Sequence, residues 1–172
     1  MSKYLFRGRL VQRIKRFPEE DHDFGWKYGD LHHYYDGSYF THITEIDAEK
    51  MQTNTWDVIS HSVGQCTGLK DKNGNWIFEG DILQYTEHKG YCLPSFLAYV
   101  VWMDNCACFG YSKADSEVSA VIPFNRHDEL YEDFLNYCQI VGNDYDNKDL
   151  LAIPSNVPAK VLKVEDDKDL PF

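Results

Sequence analysis

Two dipeptides constrain this chain more than any other feature. Asp36-Gly37 stands between Phe24–Tyr35 and Ser38–Ile43, and Asn73-Gly74 between Thr67–Lys72 and Asn75–Glu79. Asp-Gly and Asn-Gly between such runs are the strongest short hairpin signals, because a type I′ turn needs positive φ at both central residues. They commit the chain to antiparallel strand pairing. Further strand signals lie at Tyr4–Lys15 (one long strand or two short ones), Trp56–Val63, Phe96–Met103, Cys106–Tyr111, Glu117–Phe124 and Gln139–Gly142. Asp104-Asn105 supplies a turn between two of them.

Helical signals are sparse. Asn125 is a fit N-cap with Asp128 three residues on, and Leu130, Phe134 and Tyr137 share a face, so a helix is expected over 125–137. The polar stretch Thr44–Asn54 offers a short helical turn at Ile46–Met51, and Asp146–Leu151 offers one closing turn. The expected fold class is mainly β: antiparallel sheets or a small barrel built from hairpins, with one helix near the C-terminal end. Three regions are expected, an N-terminal β region over 1–62, a hairpin or barrel-like region with the helix over 63–151, and an acidic tail over 152–172. Proline and charge set the tail apart, in Ile153-Pro154-Ser155-Asn156-Val157-Pro158 and Glu165-Asp166-Asp167-Lys168-Asp169.

Hydrophobic residues make up 43 % of the 172 residues and aromatics 15 %, enough for a packed core and too apolar for general disorder. No run approaches the roughly 20 apolar residues of a membrane span, and no signal peptide is visible at the N-terminus. Membrane partners are not expected. Five cysteines, an odd number, point to reduced thiols in a cytoplasm. The net charge of −11 hides an asymmetry: residues 1–16 carry six basic residues and no acid, leaving 11 basic against 28 acidic in the rest, a net of −17. An acidic body repels phosphate, which disfavours general duplex DNA binding.

The chemical motifs are weak. Counting a calcium loop from Asp71 puts Asp71, Asn73 and Asn75 at positions one, three and five, but Trp76 falls where glycine is required and Ile82 where the bidentate Glu belongs. Asp81 would be a general base in a functional reading; in a turn, its carboxylate accepts backbone N–H groups. His32-His33 in a strand turn their rings to opposite sides and do not converge. No nucleophile elbow, P-loop or dinucleotide fingerprint occurs. Cys106 and Cys108 share a strand face, and with His88 and Cys92 they have the residue types of a zinc site. Their spacing is not the Cys-x-x-Cys of zinc ribbons, and free cysteine also serves as a small buried apolar residue. The expectation is no catalytic residues, no metal, no cofactor and no enzyme.

The stretch from Val63 to Gly74, Val63-Gly64-Gln65-Cys66-Thr67-Gly68-Leu69-Lys70-Asp71-Lys72-Asn73-Gly74, continues through Ile77-Phe78-Glu79-Gly80-Asp81-Ile82. It resembles the central signature of the YopX family. Phe6-Arg7 matches that family's early Phe-Arg pair. Ile140-Val141-Gly142-Asn143 with Asp146-Asn147-Lys148-Asp149-Leu150-Leu151 resembles its closing "IGN…ENPELL" pattern. The resemblance covers roughly residues 4–151, with departures at Cys66, where tyrosine is usual, and Lys148, where proline is usual. It implies a mostly β phage or prophage protein in the bacterial cytoplasm, and it supplies no catalytic residues.

The expected function is that of a non-enzymatic accessory binding protein. In Phe6–Lys15, Arg7, Arg9, Arg13 and Lys15 fall on one strand face, with Phe6, Leu10 and Ile14 on the other. The basic face is expected to point outward and gather an anionic small molecule or a nucleic-acid segment, since Arg presents a planar fork suited to phosphate. An edge strand kept soluble by charge, or arginines paired with the acids that dominate the rest of the chain, is the plainer reading. The alternatives are an acidic surface that docks a basic host protein in imitation of nucleic acid, and a structural subunit of a homo-oligomer whose self-pairing covers exposed strand edges.

Overall fold

The computed structural model describes residues 5–11, 25–35, 39–47, 50–87, 94–114, 121–124 and 134–152. Contacts group the chain into two units, Met1–Leu69 and Lys70–Phe172. In chain order the strands are β1 (Phe6–Arg9), β2 (Trp26–Tyr35), β3 (Tyr39–Asp47), β4 (Gln52–Asp57), β5 (Gly64–Lys70), β6 (Trp76–Phe78), β7 (Asp81–Tyr85), β8 (Phe96–Met103), β9 (Cys108–Lys113), β10 (Val121–Pro123) and β11 (Cys138–Asn143). They form two antiparallel sheets, ordered β4-β3-β2-β1-β5-β6 and β10-β9-β8-β7-β11. Among the described residues neither sheet closes on itself, so the arrangement is open sheets and not a barrel.

In the first unit, the β2–β3 hairpin pairs Tyr35 with Tyr39, as expected on either side of Asp36-Gly37. β3 runs on to Asp47, into the start of the Ile46–Met51 stretch where a helical turn was expected; residues 48–49 lie outside the described residues, and Lys50-Met51 form a turn into β4. It pairs with β4 from His42↔Asp57 to Asp47↔Gln52. The Thr-rich sequence explains the difference. β-branched residues suit a pleated surface, and Thr44 and Thr55 share a cross-strand hydroxyl bond of 3.1 Å. The expected strand Trp56–Val63 is cut short. β4 ends at Asp57, Val58 makes a single bridge to Leu10, and Ser60–Ser62 form a 3-10 turn. The Ser62 hydroxyl holds that turn, donating to the Ile59 carbonyl (2.6 Å) and accepting the Arg9 N–H (2.8 Å). Ile43 is fully buried opposite Trp56 and Leu31.

β1 lies between β2 and β5, with Arg7 opposite both Tyr28 and Gly64. It is therefore a central strand and not the edge strand of the plainer reading. Gly8 is needed there for space: a Cβ would stand 2.9 Å from the Val58 side chain.

The second unit is built on stacked aromatic rings. Phe134, in a helical turn at 134–137, stacks on Tyr111 at 4.3 Å between centroids, and on Tyr85 and Phe96 at 5.9 and 6.0 Å. That turn is the described end of the helix expected over 125–137; residues 125–133, like the tail beyond 152, lie outside the described residues. Val121–Pro123 falls within the expected strand Glu117–Phe124, Cys138–Asn143 contains the expected Gln139–Gly142 with one more residue at each end, and Lys148–Ala152 form a closing 3-10 turn.

The Asn73-Gly74 turn differs in type from the expectation. Gly74 has φ +86, but among the described residues only Met51 and Ala107 are non-glycines with positive φ, so Asn73 does not adopt the type I′ geometry. The Gly74 N–H instead donates to Asp71 O (2.9 Å) and Asp71 N–H to Asn75 O (2.9 Å). This is a three-residue loop that ends on a left-handed glycine. Gly80 (φ +82) ends the next turn, where a Cβ would meet Asp144 Oδ1 at 2.6 Å. Gly74→Val is expected to destabilise by about 1–3 kcal/mol from backbone strain alone, since no atom crowds that site. Gly80→Ala should lower the urea midpoint further than Gly74→Ala, because it adds displacement of Asp144 to the same strain. Equal midpoints for the two alanine variants would show that the Asp144 contact is immaterial.

Candidate functional site

The polar residues of the signature stretch converge in the second unit. Asp71 is buried. Its Oδ1 accepts the N–H groups of Asn73 and Asn75, both at 2.9 Å. Its Oδ2 accepts the Asn75 side-chain amide (3.3 Å) and the N–H of Ile140, 69 residues away, at 3.1 Å. Beside it, the Lys72 N–H donates to the Cys138 carbonyl (3.0 Å). β11 is the last strand of its sheet, and this turn supplies hydrogen-bond partners along its outer side.

The neighbouring turns follow the same rule. Asp81, fully buried, accepts the Phe78 N–H at 2.8 Å through Oδ2, as a turn carboxylate does. Asn143 Oδ1 accepts the N–H groups of Tyr145 (3.0 Å) and Asp146 (2.8 Å), and Asn147 Oδ1 accepts the Asn143 N–H (3.1 Å). Asp144 ties this loop to the glycine turn: its N–H donates to Gly80 O (2.8 Å) and its carboxylate accepts the Tyr99 hydroxyl (3.0 Å). The two stretches of family resemblance thus meet through backbone-directed hydrogen bonds, the pattern of a scaffold.

Two protons are held tightly here. Burial, then the Asp144 charge and hydrogen bond, then Glu79, push the Tyr99 hydroxyl up to about 12. Burial, then the Asp71 charge, push the Cys138 thiol up to about 12.

In the first unit, the basic strand takes an unexpected form. Arg7 is only 7 % exposed, where the alternation pattern predicted an outward side chain. Its guanidinium lies over the Trp26 ring at 4.7 Å, and Trp26 is the register partner of half-buried Arg9. The indole covers the face that the strand pattern leaves to solvent. Arg13 and Lys15 lie outside the described residues. Sequence reasoning also missed the 3.0 Å contact of His42 Nε2 with Asp57 Oδ1, which depends on the β3–β4 register. His32 faces His42 and His33 faces Thr41, so the two adjacent rings do diverge. Among the described residues no three His, Cys, Asp or Glu side chains group as metal ligands. His88 and Cys92 of the zinc set lie outside those residues.

A family model described as "YopX protein" matches residues 25–152. The chain belongs to the YopX family. The match takes in the Asp71 turn and the Asn143 loop and begins after β1, so the Phe6-Arg7 resemblance falls outside it. This YopX-family chain is also similar to a solved structure, protein EF1440 from Enterococcus faecalis, at 18 % identity over 86 % of this chain and 97 % of that one, with a TM-score of 0.44. No curated protein matches it. Among the described residues no helix is long and apolar enough to cross a membrane.

Asp71→Ala removes the acceptor of three backbone N–H groups. It is expected to destabilise by about 2–4 kcal/mol, with Asp71→Asn in between, since each buried donor left unmet costs about 1–3 kcal/mol and some regain water. Urea unfolding measures both. Stability should also fall at alkaline pH. Tyr99 and Cys138 keep their protons to about 12 when folded, against ordinary values of 10.0 and 9.0. Their contribution is whole below pH 9.0 and is lost as pH rises towards 12. Tyr99→Phe with Cys138→Ala should flatten that decline in a series of melts.

Proposed function

We propose that this YopX-family chain is a non-enzymatic, phage- or prophage-type accessory protein that acts in the bacterial cytoplasm by docking a host protein. The observation that carries this reading is the division of labour between polar and apolar groups. Asp71, Asp81 and Asn143, the residues best suited to chemistry, hold backbone N–H groups of turns. Large apolar side chains meanwhile stand exposed on the first unit: Tyr28 (47 %), Tyr34 (56 %), Tyr35 (62 %), Ile46 (65 %) and Met51 (92 %). Tyrosine suits a recognition surface because a rigid apolar ring carries a polar tip. Self-association belongs to the same reading. β4 is a sheet edge whose residues Gln52 to Thr55 are exposed and uncharged, so a second copy would meet no like charge along it.

A second reading is an anion site at half-buried Arg9, whose planar guanidinium suits a phosphate and whose register partner is Trp26.

Parallel affinity capture from bacterial lysate, with the native chain and with Tyr34→Ser/Tyr35→Ser/Met51→Ser, tests the first reading. A partner enriched by the native chain should bind the variant roughly 30-fold more weakly or worse, the loss of an aromatic anchor contributing about 2 kcal/mol. Equal capture would dismiss the tyrosine surface. A nucleotide or oligonucleotide whose binding falls with salt and with Arg9→Ala would favour the anion site instead.

A further inference from the structure

The hairpin joining β8 and β9 carries two thiols at its tip, and neither the scaffold nor the proposed docking surface uses them. Met103 pairs with Cys108, and the Cys106 N–H donates to the Met103 carbonyl at 3.2 Å, which closes the turn. Cys106 is exposed and Cys108 half-buried. Between them Ala107 has φ 49, one of two non-glycine residues in left-handed backbone among those described. A turn that needs this conformation ordinarily takes Gly or Asn, because a Cβ is disfavoured there. Strain of this kind concentrates where geometry serves a purpose.

The geometry here has a clear effect. Fully extended residues two apart are separated by about 6.6 Å, near the far end of the Cα range that a disulfide spans. A helical φ at the middle residue draws its neighbours closer. Local burial, and then the neighbouring Cys106, raise Cys108 above the ordinary thiol range. The turn thus sets two thiols on either side of one left-handed residue, with the more exposed one as the entry point.

We propose that Cys106 and Cys108 are a redox-active dithiol that exchanges with glutathione-type small-molecule disulfides and closes into an intramolecular disulfide. In the first step the Cys106 thiolate attacks one sulfur of the small disulfide. A mixed disulfide forms at Cys106, and one glutathione thiolate leaves and takes up a proton. In the second step Cys108 loses its proton to solvent and attacks the Cys106 sulfur. The 106–108 bond forms and the second glutathione leaves as a thiol. The dithiol gives up two electrons and the small disulfide accepts them, becoming two thiols. Strained, exposed disulfides are the readily reduced kind, so the reaction runs in both directions within a glutathione buffer. Cys138 makes a built-in control: it is buried, its thiol donates to the Leu135 carbonyl, and its high proton affinity leaves little thiolate.

The test equilibrates the full-length chain in a graded series of reduced and oxidised glutathione. Free thiols are trapped by alkylation, and each cysteine is read by peptide mass spectrometry. The expected result is joint loss of the Cys106 and Cys108 thiols with one midpoint, loss of two hydrogens and no added glutathione, with Cys138 still reduced. Cys108→Ser should abolish the closed form and leave a stable glutathione adduct on Cys106. The proposal fails if the native chain ends with separate adducts on the two residues, with a disulfide between two chains, or with both thiols unmodified across the series. The native chain alone decides among these outcomes, whatever the stability of the variant.

Discussion

One carboxylate organises the second unit. Asp71 lies buried in a three-residue loop, with two oxygens shared among three backbone N–H groups and one side-chain amide. Two of those N–H groups shape the loop itself. The third belongs to Ile140, so the same side chain that forms the turn fastens it to the outer side of β11. A charged acceptor makes stronger hydrogen bonds than a neutral one, and burial raises the penalty for losing it. Sheet edges invite unwanted pairing. Here the edge is covered by a turn whose own geometry depends on the covering contact. Local shape and long-range closure are thus one interaction.

Much of this was legible in the sequence where the signal was local. The β2–β3 pairing and β8 come directly from turn dipeptides and apolar runs, and the backbone-accepting role of Asp81 follows from its place after Glu79-Gly80. Where the sequence misled, the deciding partner was a side chain or strand that the local pattern did not weigh. Ile46–Met51 looks helical in isolation, yet cross-strand threonines draw its flanks into β3 and β4. Asn73 looks like the first half of a type I′ turn, but the Asp71 carboxylate takes the Asn73 N–H and favours a wider loop. Arg7 reads as a solvent-facing charge until Trp26 is laid across it. The threonine and Trp26 partners lie outside the window that strand alternation or turn chemistry inspects, whereas Asp71 is only two residues from Asn73 and its claim on that N–H is a local signal. The Asp71–Ile140 bond, which joins the two stretches of resemblance, has no single-window signal either; only their joint presence in a family pattern hints that they meet.

The distribution of side chains also explains why chemistry is hard to read from this family's shared residues. Carboxylates and amides at Asp71, Asp81, Asn143 and Asp144 are the groups a motif search would single out, and each one bonds to backbone or to a tyrosine hydroxyl. In this chain those groups hold loops, while the surface presents tyrosines and uncharged edge residues in the first unit and a thiol pair in the second.

The central place of β1 has a consequence for how the first sheet is assembled. Its two neighbours, β2 and β5, come later in the chain, and β5 begins at Gly64, long after β1 has left the ribosome. β1 precedes both of its flanks in the chain and must wait for them. Until β5 arrives, one side of β1 offers unpaired backbone, and the growing chain carries an interim edge where the finished protein has an interior strand. Clipping the first ten residues would likewise open a gap in the middle of the sheet, with β2 and β5 left facing each other across the width of a missing strand. A four-residue strand that looks peripheral on paper is the slat that joins β2 to β5.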